Sequence, residues 1–249
     1  MSAATPLFIL GMGRSGTTTA QRVLNAHPSV SLTGEVPLAV LRALFATLDA
    51  ADKAHDKTRE GWLSRKTGFM FDAFGSLSKG GVGAAGRRAD ALFRGFKEPR
   101  LESLFAPLET HFASVGLLPR YVYCARNPFD CWRSYKATSW NSYAEVNRFL
   151  ADYVKSFEQL RAMRAAAPER VCVLNLDDAI ASRDAAKFYS DTLFGFLGLD
   201  VPERAARRIG EFAAPERPSQ YPPLSSEERA AVEAFGGIAG IRAEHFGRP

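Results

Sequence analysis

Short apolar runs alternate along the chain with longer segments in which apolar residues recur at helical spacing. The candidate strands are Leu7–Leu10, Val30–Leu32, Arg94–Lys97, Tyr121–Ala125 and Val171–Leu176. Strands that are apolar on both faces are typical of parallel sheets, because each crossover connection places a helix on one face or the other. The pattern therefore predicts an α/β fold in which a parallel sheet is flanked by helices on both faces.

The segments between these runs predict helices. They are Thr17–Ala26, Pro37–Ala50, Leu101–Ala113, Phe129–Thr138, Ala144–Ala166, Ala185–Phe196, Pro202–Glu211 and Ser225–Phe235. Pro37, Pro128 and Pro202 stand where a first helical turn accepts proline. Ala144–Ala166 carries apolar residues along one face, which predicts burial in the core or in a subunit interface. A homodimer is therefore left open.

One segment interrupts this alternation. Residues 53–94 break the pattern, and within them Lys79–Arg88 is rich in glycine with basic residues at both ends. Glycine-rich stretches are flexible. We expect a helical and glycine-rich insertion that is mobile or acts as a lid, or else a connection with no role of its own. With this insertion, residues 1–249 predict a single domain.

Charge and composition indicate which kind of ligand the protein binds and in which cellular compartment it is expected. The chain has 32 Lys and Arg against 27 Asp and Glu, a formal net charge of +5. This surplus, without a basic run interleaved with aromatics, favours a small anionic ligand over nucleic acid. Three cysteines, an odd number, predict thiols rather than a disulfide framework. The N-terminal apolar run is too short for a signal peptide or a membrane span, so a cytoplasmic location is expected.

The first strand runs directly into a glycine-spaced turn, Gly11-Met12-Gly13-Arg14-Ser15-Gly16-Thr17-Thr18-Thr19. Small residues at this spacing let backbone N–H groups surround an anion at the positive end of the following helix. Nucleoside triphosphatases carry a lysine after the second glycine for the outer phosphates. Thr17 occupies that position. The loop thus predicts an anion site with Arg14 as its cation, and it argues against ATP or GTP turnover.

A second strand–turn–helix unit carries Arg126 at the strand's carboxyl end and Ser134 on the next helix. These side chains are expected to converge on one anion, because a guanidinium clamps phosphate and ligands bind at that edge of open α/β sheets. We expect the two units at opposite ends of the sheet region. Two plainer alternatives stay open: Arg126 pairs with Asp130 at the surface, and Ser134 faces solvent.

Asp177 and Asp178 follow the fifth predicted strand, where nucleoside triphosphatases place an acid that holds Mg²⁺. A small-molecule kinase or triphosphatase using Mg-ATP is therefore the main rival hypothesis. The missing loop lysine argues against it, and a turn or helix cap explains Asp177 without a metal.

Together, the two anion units resemble the sulfotransferase superfamily that uses 3′-phosphoadenosine 5′-phosphosulfate (PAPS). The run Arg14, Ser15, Gly16, Thr17 and Thr18 is similar to its 5′-phosphosulfate loop. Arg126 and Ser134 are similar to its 3′-phosphate site. Leu174–Asp178, Phe194–Leu199 and Asn25–Pro28 extend the resemblance over most of the chain. Within this superfamily, the chain resembles the tyrosylprotein and bacterial branch more closely, although Glu98 stands where that branch often has aspartate.

The resemblance implies a P-loop-type domain that transfers a sulfuryl group in line from PAPS to a hydroxyl or amine. Arg14 and Lys97 would then offset the charge on the departing phosphate, and Glu35 would take the acceptor's proton, with no metal required. Arg217 and Ser219 are expected to add nucleotide contacts. Two plainer alternatives are that Glu35 only favours a helix N-terminus and that Lys97 is a solvated strand end.

The acceptor is left open among small molecules, carbohydrates and peptides. Aromatic residues that either line an apolar acceptor pocket or belong to the core are Phe69, Phe71, Phe74, Trp140 and Tyr143. A third hypothesis is a protein that binds the nucleotide and transfers nothing.

Overall fold

The computed structural model describes residues 4–56, 59–79, 90–139, 143–212 and 221–247. The strands are β1 (Thr5–Gly11), β2 (Val30–Thr33), β3 (Phe93–Lys97), β4 (Arg120–Ala125) and β5 (Val171–Asn175). All their pairings are parallel, and they form one sheet in the order β2-β3-β1-β4-β5. The predicted parallel sheet is confirmed.

Strand β1 lies in the middle of the sheet, with β3 on one side and β4 on the other. Gly11, at the end of β1, is in register with Cys124 of β4. The expectation that the two anion units lie at opposite ends of the sheet region is therefore wrong, because they follow neighbouring strands. The chain runs from β1 out to the edge strand β2, returns through β3, and only then crosses to β4. Ligands of open α/β sheets bind at such a point of reversal.

Helices connect and cover the strands. They are α1 (Thr17–Asn25), α2 (Leu38–Ala54), α3 (Arg59–Leu77), α4 (Phe105–Ala113), α5 (Pro128–Lys136), α6 (Val146–Ala166), α7 (Leu176–Ala181), α8 (Ala185–Tyr189), α9 (Gly195–Leu197), α10 (Glu203–Phe212), α11 (Ser226–Ala234) and α12 (Ile238–Phe246). Shorter turns are 3₁₀ at Leu101–Leu104 and Pro168–Arg170 and π-helical at Ser190–Phe194. Within the described ranges, no helix is both long and apolar enough to cross a bilayer.

Alternate side chains of β1 enter two separate cores. Phe8 and Leu10 pack with residues of α2 to α6, α11 and α12, whereas Leu7 and Ile9 pack with residues of α1 and α7 to α10. All four side chains are fully buried. Helices therefore cover both faces of the sheet, as the continuous apolar run predicts.

Helices α6 and α3 both pack into the core that contains Phe8 and Leu10. The apolar face of α6 is buried in the first core, through Phe149, Leu150 and Phe157 among others. Helix α3 lies inside the predicted mobile insertion, but Met70 and Phe74 pack into the same core. This part of residues 53–94 is a packed helix, because its apolar side chains reach the sheet. The glycine-rich run beyond Lys79 lies outside the described residues.

Candidate functional site

A cleft of about 450 Å³ opens at the carboxyl edge of the sheet. It is lined by the loop after β1, by the ends of β3 and β4, and by the residues after β2. Most of the predicted site residues line this single cleft: Arg14, Gly16, Thr17, Thr18, Glu35, Lys97, Arg126 and Ser134. Ser15 is buried, and its hydroxyl donates to the Met12 carbonyl at 2.6 Å. Arg217 and Ser219 lie outside the described residues.

The loop after β1 has an unusual backbone. Gly11, Arg14 and Gly16 have φ angles of 121°, 66° and 97°. A non-glycine residue in the left-handed region is uncommon, and such residues cluster at binding and active sites. Gly16 is the N-cap of α1, and as a glycine it supplies no side-chain acceptor to the first N–H groups of the helix. The loop thus offers backbone donors at a helix N-terminus, which suits an anion.

Helix α5 packs tightly against this loop. A Cβ atom at Gly13 would lie 2.1 Å from the Tyr135 hydroxyl oxygen, so a larger residue there would displace the Tyr135 side chain. The Cys131 thiol donates to the Gly13 carbonyl at 3.2 Å. The loop after β1 and the helix after β4 therefore form one packed unit.

The two predicted anion sites meet directly. Arg14 donates from Nε to the Ser134 hydroxyl at 2.9 Å, and Arg126 donates from Nη1 to the Arg14 carbonyl at 3.0 Å. The Arg126 guanidinium carbon also lies 5.5 Å from the centre of the Tyr221 ring. Ser134 is fully buried and does not face solvent. Asp130 pairs with Arg133 instead of Arg126, so the plainer alternatives for both residues are wrong.

Arg126 has one buried donor atom, Nε, without a hydrogen-bond partner among the described residues. Its side chain lies almost entirely inside the protein, with 4% of the residue exposed, and no described residue hydrogen-bonds its Nε. A buried charged donor without an acceptor is costly unless a ligand supplies one. This side of the cleft is therefore suited to an anion.

Lys97 and Glu35 form an ion pair at the other side of the cleft. Lys97 donates from Nζ to Glu35 Oε1. Lys97 is 7% exposed, so it is not a solvated strand end, while 36% of the Glu35 side chain is exposed. Glu35 points to Lys97, and α2 begins only at Leu38. The Glu35 carbonyl accepts from the Lys79 N–H at 2.7 Å, which places the end of the α3 segment beside the pair.

Glu98 adds a second carboxyl behind this pair. Its Oε2 is buried and has no hydrogen-bond partner among the residues described. Burial, and next the negative charge of Glu35, raise the pKa of Glu98 to about 7, while Lys97 and Lys79 oppose the rise. The charge next to Lys97 and Glu35 therefore changes near neutral pH.

The sequence matches a family model described as "Sulfotransferase family" over residues 6–203. The chain belongs to the sulfotransferase family. No curated protein gives a significant match to it.

Solved structures of bacterial sulfotransferases share the fold of this family member. The enzyme from Alicyclobacillus acidocaldarius is 16% identical with a TM-score of 0.53, covering 100% of this chain and 98% of that one. The sulfotransferase domain of the Synechococcus PCC 7002 olefin synthase is 14% identical with a TM-score of 0.53, covering 94% and 96%. Sulfotransferase STF1 of Mycobacterium tuberculosis is 17% identical with a TM-score of 0.52, covering 95% and 77%. At these identities the likeness concerns the fold, and it confirms the predicted resemblance.

In this sulfotransferase, Asp177 has a structural partner. Its Oδ2 accepts the Asn127 N–H at 2.6 Å, and its own N–H donates to the Asn175 side chain, which caps α7. Burial raises the pKa of Asp177. Asp177 therefore ties the end of β5 to the turn that carries Arg126, and this bond accounts for an acid that the rival hypothesis assigns to Mg²⁺.

The cleft of the sulfotransferase also contains Gly13 and Thr19 of the predicted anion loop, and residues that no sequence pattern assigned to a site. The unassigned residues are Arg22, Pro99, Tyr135, Leu176, Phe212 and Tyr221. Arg22 lies one helical turn beyond Thr18, so helical spacing was a usable signal for it. Phe212 and Leu176 come from distant helices, and nothing local marks them. Phe71, Phe74 and Tyr143 belong to the core, Phe69 is exposed, and Trp140 lies outside the described residues.

Proposed function

We propose that this protein transfers a sulfuryl group from PAPS to a hydroxyl or amine of an acceptor. The contact between the two anion units carries the proposal: Arg126 binds the Arg14 carbonyl and Arg14 binds Ser134, all at one cleft. PAPS carries an anion at each end of one adenosine, and two cationic sites a short distance apart suit such a donor. Membership of the sulfotransferase family supports the same conclusion.

The two ends of the donor have different partners in this proposal. Arg126 and Ser134 hold the 3′-phosphate, for which the unpartnered Nε of Arg126 is a ready donor. The backbone N–H groups of Gly16, Thr17 and Thr18, with the hydroxyls of Thr17 and Thr18, hold the 5′-phosphosulfate, whereas the N–H and hydroxyl of Ser15 donate to the Met12 carbonyl within the loop. Arg14 lies between the two and contacts Ser134, so it neutralises charge near both ends.

The Lys97–Glu35 pair performs the transfer chemistry. The acceptor oxygen attacks sulfur while its proton passes to Glu35, and the bond between sulfur and the bridging oxygen of the phosphate breaks. A proton on Glu35 removes the charge that holds Lys97, so Lys97 is released as negative charge develops on the departing phosphate. The pair thus couples proton removal to leaving-group stabilisation. No step needs a metal.

The acceptor is a small molecule, a carbohydrate or a peptide that reaches Glu35 at the mouth of the cleft. The free thiols of Cys124, Cys131 and Cys172 suit a reducing compartment, and we propose the cytoplasm.

Ligand-dependent thermal unfolding tests the donor assignment. We expect the desulfonated product, 3′-phosphoadenosine 5′-phosphate (PAP), to raise the melting temperature, whereas Mg-ATP raises it far less; a ligand at 100 times its Kd adds about 2.7 kcal/mol. Arg126→Ala should abolish the protection, and Arg161→Ala, which removes an exposed arginine of α6, should preserve it. Equal protection by PAP and Mg-ATP would overturn the assignment in favour of a kinase.

A transfer assay with isotopically labelled PAPS and a panel of acceptors, read by mass spectrometry, tests the reaction itself. Label in an acceptor supports transfer. Tight PAP binding with no labelled product across alcohols, sugars, amines and tyrosine peptides would instead support a protein that only binds the nucleotide.

A further inference from the structure

A buried polar network lies beneath the loop after β1. Its centre is Glu102, in the 3₁₀ turn that follows β3, and only 3% of this residue is exposed. Glu102 Oε2 accepts the Gly11 N–H at 3.3 Å, and Oε1 accepts from the Ser156 hydroxyl of α6. The Tyr123 hydroxyl lies 2.8 Å from that of Ser156. The network therefore ends on the residue with which the anion loop begins.

The same turn holds the end of β1 from a second side. The Glu98 N–H donates to the Ile9 carbonyl at 3.0 Å, and the Arg100 N–H donates to the Gly11 carbonyl at 2.8 Å. Both backbone polar groups of Gly11 are thus bound by the segment that directly follows Lys97. This segment fixes the start of the anion loop relative to Lys97.

Helix α6 reaches the second anion unit as well. The Tyr153 hydroxyl donates to the Arg126 carbonyl at 2.7 Å, and its ring is buried between Phe149 and Phe157. Tyr153 and Ser156 are three residues apart and so share one face of the helix. One helix therefore supports the loop after β1 through Glu102 and the end of β4 directly.

A gain in stability does not explain why the carboxyl group of Glu102 is buried. Burial disfavours its charged form and raises the pKa of Glu102. Apolar side chains of similar volume often replace buried charged groups without loss of stability. Hydrogen bonds that fix two binding loops in advance, however, reduce the cost of ordering them around a ligand.

We propose that Glu102 is a positioning residue for nucleotide binding, which together with Ser156 and Tyr153 sets the spacing between the loop after β1 and the loop after β4. The inference rests on the proposed function, because a ligand that reaches from one loop to the other is what makes their spacing matter. None of these three residues is among those that line the cleft, so each acts through the loop that it holds.

Calorimetric titration with two probes tests it. PAP spans both loops, whereas adenosine 5′-monophosphate lacks the 3′-phosphate. Glu102→Ala should weaken both ligands at least tenfold, because the loop after β1 holds the end that they share. Tyr153→Phe should weaken PAP at least fivefold and leave adenosine 5′-monophosphate within twofold. Glu102→Gln should restore PAP binding to within threefold, because the amide accepts from Gly11 and donates to Ser156.

Glu109 provides a matched control. It accepts the Tyr121 hydroxyl at 2.7 Å and pairs with Arg170, near the start of β4 and away from the cleft. Glu109→Ala should lower the melting temperature and leave PAP affinity unchanged. If Glu102→Ala shows only this pattern, the positioning role is wrong. If Glu102→Ala does not fold, Ser156→Ala and Tyr153→Phe decide, and unchanged PAP affinity in both would overturn the inference. Failure of the unaltered protein to bind PAP would instead contradict the proposed function.

Discussion

Arg126 donates from Nη1 to the carbonyl oxygen of Arg14 at 3.0 Å, across a sequence separation of 112 residues. The guanidinium at the end of β4 is therefore held by the backbone of the loop that follows β1. Arg14 in turn donates to Ser134, two helical turns after Arg126. These two hydrogen bonds link the three residues in a chain from Arg126 through Arg14 to Ser134, so a change at Arg14 affects both anion units.

Arg126→Lys should weaken binding of the 3′-phosphate end of the ligand more than binding of the 5′ end. Lysine keeps the charge but loses the planar fork that binds the Arg14 carbonyl and that, in the proposed function, also binds the 3′-phosphate. We expect PAP affinity to fall at least tenfold, about 1.4 kcal/mol, and the affinity for adenosine 5′-monophosphate to change less than threefold. Calorimetric titration measures both, with Arg161→Lys as the exposed control. An equal loss for the two ligands would show that Arg126 serves the 5′ end.

Sequence patterns were enough to predict all five strands, because a strand buried on both faces leaves a continuous apolar run such as Leu7–Leu10. They were not enough for the order of the strands. Local periodicity carries no information on which side of β1 the later strands pair, and this is why the two anion units were expected far apart. Helix α3 was expected only as part of a helical and glycine-rich insertion, without bounds, because Gly61, Gly68 and Gly75 weaken its helical pattern.

Sequence patterns likewise indicated some residues of the candidate site and not others. Arg14 and Arg126 were found because each stands at the end of a strand, where a local motif marks the residue. Glu102 was missed because an acid in Leu101-Glu102-Ser103-Leu104 looks like any solvated charge. Only the fold brings it beneath Gly11. Contacts made across the sheet leave no local signal.

Glu35→Gln should lower kcat without weakening the binding of PAP. The amide still accepts a hydrogen bond from Lys97 but takes no proton, so we expect kcat to fall by about 10²–10⁴. PAP affinity should stay within threefold. Steady-state kinetics with labelled PAPS and titration with PAP measure the two effects, and Glu158→Gln, on the exposed side of α6, is the control. Turnover close to that of the unaltered protein would remove Glu35 from the mechanism.

Gly11→Ala should destabilise the fold. Gly11 has a φ of 121°, and an added Cβ atom would lie 2.4 Å from the Cys124 carbonyl oxygen of β4. Strain of this kind costs on the order of 2 kcal/mol or more. Gly75→Ala is the matched control, because its Cβ would meet no atom within 4 Å and it lies in a helix. That change should be neutral or should stabilise by up to about 1 kcal/mol. Urea unfolding measures both, and equal stability of the two variants would contradict the close approach of β1 and β4.

Glu98 should make stability depend on pH. Its pKa is raised from 4.5 to about 7 by burial and by the charge of Glu35, so the folded state binds this proton more tightly than the unfolded state. The contribution of Glu98 to the free energy of unfolding is therefore fully present below pH 4.5 and is lost as the pH rises through 7. Glu98→Gln cannot ionise and should avoid this loss. Because Glu98 is only partly buried, solvent screening reduces the effect below the full value of the pKa shift. Between pH 5 and pH 8, we expect the stability of Glu98→Gln to rise by about 1–3 kcal/mol relative to the unaltered protein.

Urea unfolding at several pH values between 5 and 8 measures this difference for Glu98→Gln, with Glu158→Gln as the control for loss of an exposed carboxylate. A difference for Glu98→Gln that stays constant with pH, or that follows the difference for the control at every pH, would mean that the carboxyl is not buried against Glu35. Because the ionisation of Glu98 adds a negative charge beside Lys97, the same variant should also flatten the dependence of kcat on pH around 7.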